Sequence, residues 1–383
     1  MKRNYIAKRF QNAGSGLTLD TEALAKYKDI IDLSIGDTDF ITDEGIINAA
    51  FRDAKAGYTR YGDPKGDPEL IDAVCRAWQE DFEQKLPHDH VLVSASSCLG
   101  MALVMFSILD PGDEVIVFSP YFPMYRSQIE LAGGVCVDVP TYANEDYAID
   151  EARLRAAITP RTKAIIFNNP TNPTGMAYDN DTLEMLARVA KEYDLLIAAD
   201  EIYTTYLYEG DFRPLRTLPG MAERVITLNS FSKNFLMTGW RVGVIIAEPE
   251  LLEVMNDING SLIYTAPSIS QRAAIHALSM RREIREKYVT AYRDRIFYTA
   301  DRIEKIPYLS LVRPKGTFYL FPDIEKTGLT DDEFCNVLLD KAHVLVSHGK
   351  AFGTAGAGHF RIACTVGIDT LKIAFDRMEK LSF

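Results

Sequence analysis

Through the middle of the chain, short apolar and β-branched runs alternate with amphipathic stretches. Runs at 91–95, 114–118, 135–139, 163–167, 195–199, 225–229 and 242–247 predict strands. Helical spacing marks about 97–109, 121–132 and 181–193; in the last, Leu183, Leu186, Val189 or Ala190 and Tyr193 fall on one face. Strands joined by helices predict an α/β fold, a mostly parallel seven-stranded sheet between helices. Ligands of such sheets sit outside the carboxyl ends of the strands. Polar residues gather at those ends: Ser96 and Ser97, Asn168 and Asn169, Asp200, and Ser230.

Ahead of this block, residues 1–30 read as a polar arm with a helical patch around Leu24, and 31–36 as a short strand ending on Gly36. Helices at about 44–56 and 68–84 flank a turn-rich loop, 57–66, that holds Tyr58 and Tyr61. After the block, 250–280 continue in helices and 281–305 form a long charged helix suited to connect two domains. The tail predicts a strand pair near 311–312 and 317–321, a helix near 331–341, and strands at 343–347 and 359–364. A closing helix carries Leu371, Ala374, Met378 and Leu381 on one face. The expected division is an N-terminal arm and part of a small domain (1–45), a large domain (46–280), and a connecting helix with the rest of a small α+β domain (281–383).

Charge narrows the function. A net charge of −12 over 383 residues argues against nucleic-acid and anionic-membrane surfaces, so any anion site must be built locally. Five scattered cysteines without a CxxC fit a reducing compartment, and the N-terminus lacks the apolar core of a secretory signal; the cytoplasm is the expected address. The most apolar run, 99–109, is shorter than the roughly 20 residues a membrane span needs.

The chemistry centres on SFSKNFLMTGWRVG at 230–243. Lys233 has two hydroxyls close before it, Ser230 and Ser232, and is followed by Arg241, which sets an amine nucleophile beside phosphate donors. That pairing suits a phosphorylated aldehyde, pyridoxal 5′-phosphate, bound to Lys233 as a Schiff base; a surface lysine beside capping serines accounts for SxSK alone. Asp200 ends a strand, where an acid serves as metal ligand, ribose acceptor or N-cap, or holds a pyridine ring nitrogen protonated. NPTNPTG at 169–175 is a rigid turn whose Asn amide, with Tyr203, suits a phenolate oxygen. Ser97 and Cys98 precede an apolar helix, as a capping turn or a seat for phosphate on free N–H groups. Phe122 suits ring stacking or core packing, and Arg361, inside an apolar strand, needs an anion such as a substrate carboxylate. GTAGAG at 353–358 lacks the strand and helix of a dinucleotide loop.

In combination, NPTNPTG, ADEIY, SFSKNFLMTGWRVG and FRIACT resemble the class I/II pyridoxal-phosphate aminotransferases of fold type I, from about Asp32 to Phe383. The resemblance implies that Lys233 holds the cofactor and shuttles a proton, that Asp200 pairs with the ring nitrogen, and that Asn172 and Tyr203 bond the phenolic oxygen. It further implies a phosphate held by Ser230, Ser232, Arg241 and the N–H groups of Ser97 and Cys98, with Phe122 stacked on the ring. Arg361 would grip the α-carboxylate, Gly36 would close over it, and Tyr61 would reach the phosphate of a second subunit in a homodimer. SASSC replaces the glycines common in the phosphate loop, and Cys98 stands where some bacterial aspartate aminotransferases have a lysine, which weakens a dicarboxylate-specific reading. The aromatic set Tyr5, Tyr58, Phe122 and Tyr264 suits an aromatic or apolar substrate. A carbon–sulfur β-lyase is the runner-up, although KNFLMTGWR is aminotransferase-like; a cofactor-binding regulator lacks any basic DNA-binding module before residue 30.

Overall fold

The computed structural model describes residues 5–7 and 26–383; the helical patch expected around Leu24 lies outside them. After β1 (Ile31–Asp32) come α1 (Glu44–Lys55) and α2 (Pro68–Phe82). Each helix starts on an aspartate whose carboxylate accepts a first-turn N–H, Asp43 from Gly45 and Asp67 from Glu69.

The central block then alternates: β2 (Val91–Ser94), α3 (Ser97–Ile108), β3 (Glu114–Ser119), α4 (Met124–Leu131) and β4 (Val135–Pro140). It continues with α5 (Glu151–Ala157), β5 (Thr162–Asn168), α6 (Asn180–Glu192) and β6 (Leu196–Asp200). β7 (Val225–Ser230), the short α7 (Phe231–Asn234) and β8 (Gly243–Ile246) complete it. These strands form one seven-stranded sheet in the order β2-β8-β7-β6-β5-β3-β4. All neighbours pair in parallel except at β8, which runs antiparallel to both β2 and β7.

Every residue of β3 is buried, as a strand covered on both faces requires. One face packs on α3, whose Met101, Leu103, Val104, Met105 and Ile108 are buried, and the other on Leu183, Leu186, Val189 and Ala190 of α6. Tyr193, expected on that same helical face, is instead the residue after α6 and is half-exposed. α5 was not anticipated: Leu154 is its one buried residue, so seven residues carry no periodic signal.

Two helices, α8 (Pro249–Leu262) and α9 (Ser268–Ser279), lead into the 23-residue α10 (Arg281–Ile303). Beyond it lie β9 (Tyr319–Leu320), α11 (Asp331–Val337), β10 (Val344–Leu345), β11 (Ser347–His348), β12 (Phe360–Ala363) and α12 (Ile368–Met378). The expected strand pair at 311–312 and 317–321 does not form; β9 pairs with β12 instead. The strand expected at 343–347 divides, β10 pairing in parallel with β1 and β11 antiparallel with β12. A separate core joins Ile31 and Leu33 to Ile296, Ala300, Phe334, Phe360, Leu371 and Phe375, so the segment before α1 packs with the C-terminal elements. Among the described residues no helix is long and apolar enough to cross a membrane.

Candidate active site

Parallel pairing brings the strand ends level: Asn168 of β5 lies opposite Asp200 of β6, which lies opposite Leu228 of β7. Against these ends, between the sheet and the C-terminal elements, opens a cavity of about 1020 Å³. Gly36, Ser97, Cys98, Phe122, Asn172, Asp200, Tyr203, Ser230, Ser232, Lys233, Arg241 and Arg361 all line it.

Lys233 enters from α7, the turn directly after β7. Ser230 caps that turn, its Oγ accepting from the Ser232 N–H at 3.1 Å, while Tyr206 donates its hydroxyl proton to the Lys233 carbonyl at 2.8 Å. The Lys233 Nζ donates to the Gly36 carbonyl, so the amine is in direct contact with the strap formed by residues 34–37, which follows β1 along the cavity. Asp200 is buried at 6% exposure. Its Oδ2 accepts from the Tyr125 hydroxyl, and its Oδ1 makes no hydrogen bond among the described residues. Burial pushes its carboxyl up to about 6, opposed by the Tyr125 hydrogen bond and the Ile202 N–H.

That shift has a measurable sign. An unfolded aspartate titrates near about 4, so the folded protein holds this proton the more tightly; the associated stability is complete below about pH 4 and is lost as pH rises through about 6. Asp200→Asn in ligand-free protein should therefore gain stability over the parent between pH 4 and 7, by on the order of 2 kcal/mol. Thermal melts across that range check it, and parallel curves for parent and variant contradict it.

The first turn of α3 forms a second seat. Ser96 is its cap, accepting from the Leu99 N–H at 3.3 Å, and holds φ at 95°, a conformation that favours glycine. The free first-turn N–H groups of Ser97 and Cys98 thereby face the cavity end of the helix. Gly243 sits behind them: a Cβ there would meet the Ser97 nitrogen at 2.7 Å and the Ser96 carbonyl carbon at 2.9 Å. Arg241, also left-handed at φ 54°, donates to the Thr238 carbonyl at 2.7 Å and keeps solvent access.

Opposite, Arg361 of β12 is buried at 4% exposure. It donates to Asn172 Oδ1 at 3.0 Å, the Ser34 carbonyl at 2.5 Å and Ser347 Oγ at 3.3 Å, all neutral groups, and its Nε has no partner. Burial pulls this guanidinium below its ordinary value. A buried cation bonded only to neutral acceptors is a site for an anion. Asn172 spends its carbonyl on Arg361, which leaves its NH2 for a ligand. Tyr203 is buried, and desolvation together with Tyr319 holds its phenol far above the ordinary range, as a protonated donor.

A sequence model of the family "Aminotransferase class I and II" matches residues 28–378. This chain is a class I and II aminotransferase. It is 36% identical over 373 residues to an aspartate aminotransferase of Pyrococcus abyssi, covering 93% of this chain and 92% of that one. To an arginine–pyruvate transaminase of Pseudomonas aeruginosa it is 34% identical over 359 residues, 93% of this chain and 91% of the relative. The solved aspartate aminotransferase of Thermus thermophilus with maleate superposes with a TM-score of 0.93 at 33% identity, covering 99% of this chain and 100% of that one. The aminotransferase thus has the α/β architecture of fold type I, as expected, and nothing in the relatives or the cavity favours the β-lyase alternative.

One foreseen residue is not in the aminotransferase cavity. Tyr61 is 84% exposed and packs edge-on against Tyr264, ring centroids 5.1 Å apart. Of the aromatic set expected near substrate, only Phe122 lines the cavity; Tyr5, Tyr58 and Tyr264 lie exposed outside it. Two residues were missed. Tyr125, bonded to Asp200, sits three positions after Phe122, a spacing that places both on one turn. Tyr319 is hidden in the apolar run KGTFYLF, where a strand pattern masks a polar tip.

Proposed function

We propose that this aminotransferase passes the amino group of an L-amino acid to a 2-oxo acid in alternating half-reactions, with pyridoxal 5′-phosphate as its cofactor. The observation that carries this reading is the buried, partnerless Asp200 Oδ1 in one cavity with the Lys233 amine. A buried acceptor without a donor is costly, and a ring N–H satisfies it. The rest of the donor set fits the group: N–H groups at a helix start, serine hydroxyls and an arginine for a phosphate, and amide and phenol donors for a ring oxygen.

When bound, pyridoxal phosphate supplies an aldehyde that condenses with amines and a protonated ring that withdraws electrons from the bonds at the substrate Cα. Lys233 would hold the aldehyde carbon, and its Nζ, displaced by the substrate amine, would take the proton from the substrate Cα and deliver it to that former aldehyde carbon. Asp200 Oδ1 would keep the ring nitrogen protonated. Asn172 and Tyr203 would donate to the ring oxygen, Phe122 would cover the ring face, and Ser97, Cys98, Ser230, Ser232 and Arg241 would hold the phosphate. Arg361 would bind the substrate α-carboxylate, with Gly36 on the strap above it. The same reading assigns the cofactor to 46–280 and substrate closure to a small domain made of 1–45 and 281–383.

Among the described residues, the further lysine lining the cavity, Lys350, is paired with Asp332, and Cys98 offers no charge. Donors with uncharged side chains, aromatic or aliphatic, are therefore favoured over dicarboxylic ones. A screen of amino donors with 2-oxoglutarate and with pyruvate tests both points: faster turnover of aspartate than of every aromatic or aliphatic donor overturns the side-chain preference, and no oxo-acid-dependent turnover overturns the whole.

We also infer a homodimer in which exposed Tyr61 completes the neighbour's phosphate seat. Tyr61→Ala and Lys233→Ala proteins, each inactive alone, should regain activity when their subunits are exchanged, because one site of the mixed dimer is intact. Absence of recovery in a proven mixed dimer excludes the shared site.

A further inference from the structure

Tyr319 is buried at 2% exposure on β9, paired across the ladder with Ala363. Its hydroxyl oxygen accepts from the Tyr203 O–H at 3.3 Å. Its ring lies beneath the Arg361 guanidinium, 4.5 Å from the ring centroid. At residue 36, a Cβ would collide with the same Tyr319 hydroxyl, so only glycine lets the strap lie across it. One side chain therefore touches three groups to which separate tasks were given: the strap, the carboxylate seat and the phenol beside the ring.

We propose that Tyr319 is a positioning residue with two separate tasks: its hydroxyl sets the donor strength and aim of Tyr203, and its ring face seats the Arg361 guanidinium. The proposal rests on the cofactor reading above. Tyr203 has a single proton to donate, and in the ligand-free protein that proton goes to Tyr319. For Tyr203 to donate into the cavity, Tyr319 must reverse and donate to the Tyr203 oxygen. No atom is transferred; two O–H bonds rotate. A phenol that receives a hydrogen bond is a stronger donor in turn, so the reversed pair polarises the bond into the cavity. The ring of Tyr319 acts separately, since its face holds the Arg361 plane whichever way the hydroxyl points.

Two variants separate the hydroxyl from the ring. Tyr319→Phe keeps the ring and loses the hydroxyl; Tyr319→Leu loses both. Titration of each cofactor-free protein with pyridoxal 5′-phosphate, followed by fluorescence quenching, should show Tyr319→Phe binding about three- to tenfold more weakly than the parent, the scale of one net hydrogen bond. Its kcat should fall while the KM for the amino donor stays unchanged. Tyr319→Leu should in addition raise that KM about tenfold, the scale of a desolvated cation–ring contact. The two-task assignment is overturned if Tyr319→Phe matches the parent in both cofactor affinity and kcat, or if it raises KM as much as Tyr319→Leu does. A parent protein that binds no cofactor takes down the underlying reading as well, and is recognised because the failure appears before any substitution.

Discussion

Lys233→Ala is expected to lower transamination by at least about 10³-fold, within the range that a positioned proton-transfer group contributes. Among the described residues the cavity is lined by two lysines, Lys233 and Lys350, and Lys350 is engaged by Asp332. Lys233 alone of the pair lies in the turn that Ser230 caps at the end of β7, three residues beyond it, with its Nζ on the Gly36 carbonyl. On the proposed roles, alanine at 233 removes both the attachment point and the base, and the other lysine lining the cavity among the described residues is held by Asp332. The fold should be unaffected, because the turn is held by Ser230 Oγ and by the Tyr206 bond to the main-chain carbonyl of residue 233, neither of which needs the side chain. Borohydride trapping with added cofactor, followed by peptide mapping, is the direct measurement. An adduct on the 230–243 peptide of the variant would falsify the nucleophile assignment.

Arg361→Ala is expected to reduce kcat/KM for the amino donor by about 10²- to 10³-fold, mainly through KM, in keeping with the 2–5 kcal/mol typical of truncating one side of a buried charge pair. The guanidinium also ties Asn172, Ser34 and Ser347 together, so the variant leaves buried acceptors unpaired as well as a substrate carboxylate. The dissociation constant of a simple dicarboxylate such as maleate should weaken in parallel. Arg361→Lys should recover part of the loss, since an ammonium restores charge without the two-pronged geometry. A KM equal to that of the parent would remove the carboxylate role.

Much of the seven-stranded sheet was legible because parallel strands covered on both faces announce themselves as unbroken apolar runs, and β3 is buried along its whole length. The site was legible for a related reason: a polar residue closing such a run, as Asp200 and Ser230 do, stands at the sheet edge where ligands bind. Less was visible in the C-terminal elements after α10. β10 and β11 are two residues each, and their division is dictated by two different partners, β1 and β12, which no local pattern records. Tyr125 and Tyr319 were missed because each looks like core until its hydroxyl is seen to meet Asp200 or Tyr203. The strain at Ser96 was equally silent, since only the backbone angle reveals that a serine holds a glycine-like turn.

The reversal of β8 fixes where two ends of a ligand can be held. Because β8 runs back beside β7, with Gly243 level with both Ser230 and Ser94, the link from 231 to 242 never leaves one rim of the sheet. A parallel crossover would have carried Arg241 to the far rim, about 13 Å away across four strand residues. The hairpin instead acts as a caliper: its span sets the gap between amine and guanidinium, and a residue inserted or lost within it would mis-size the grip at both jaws together.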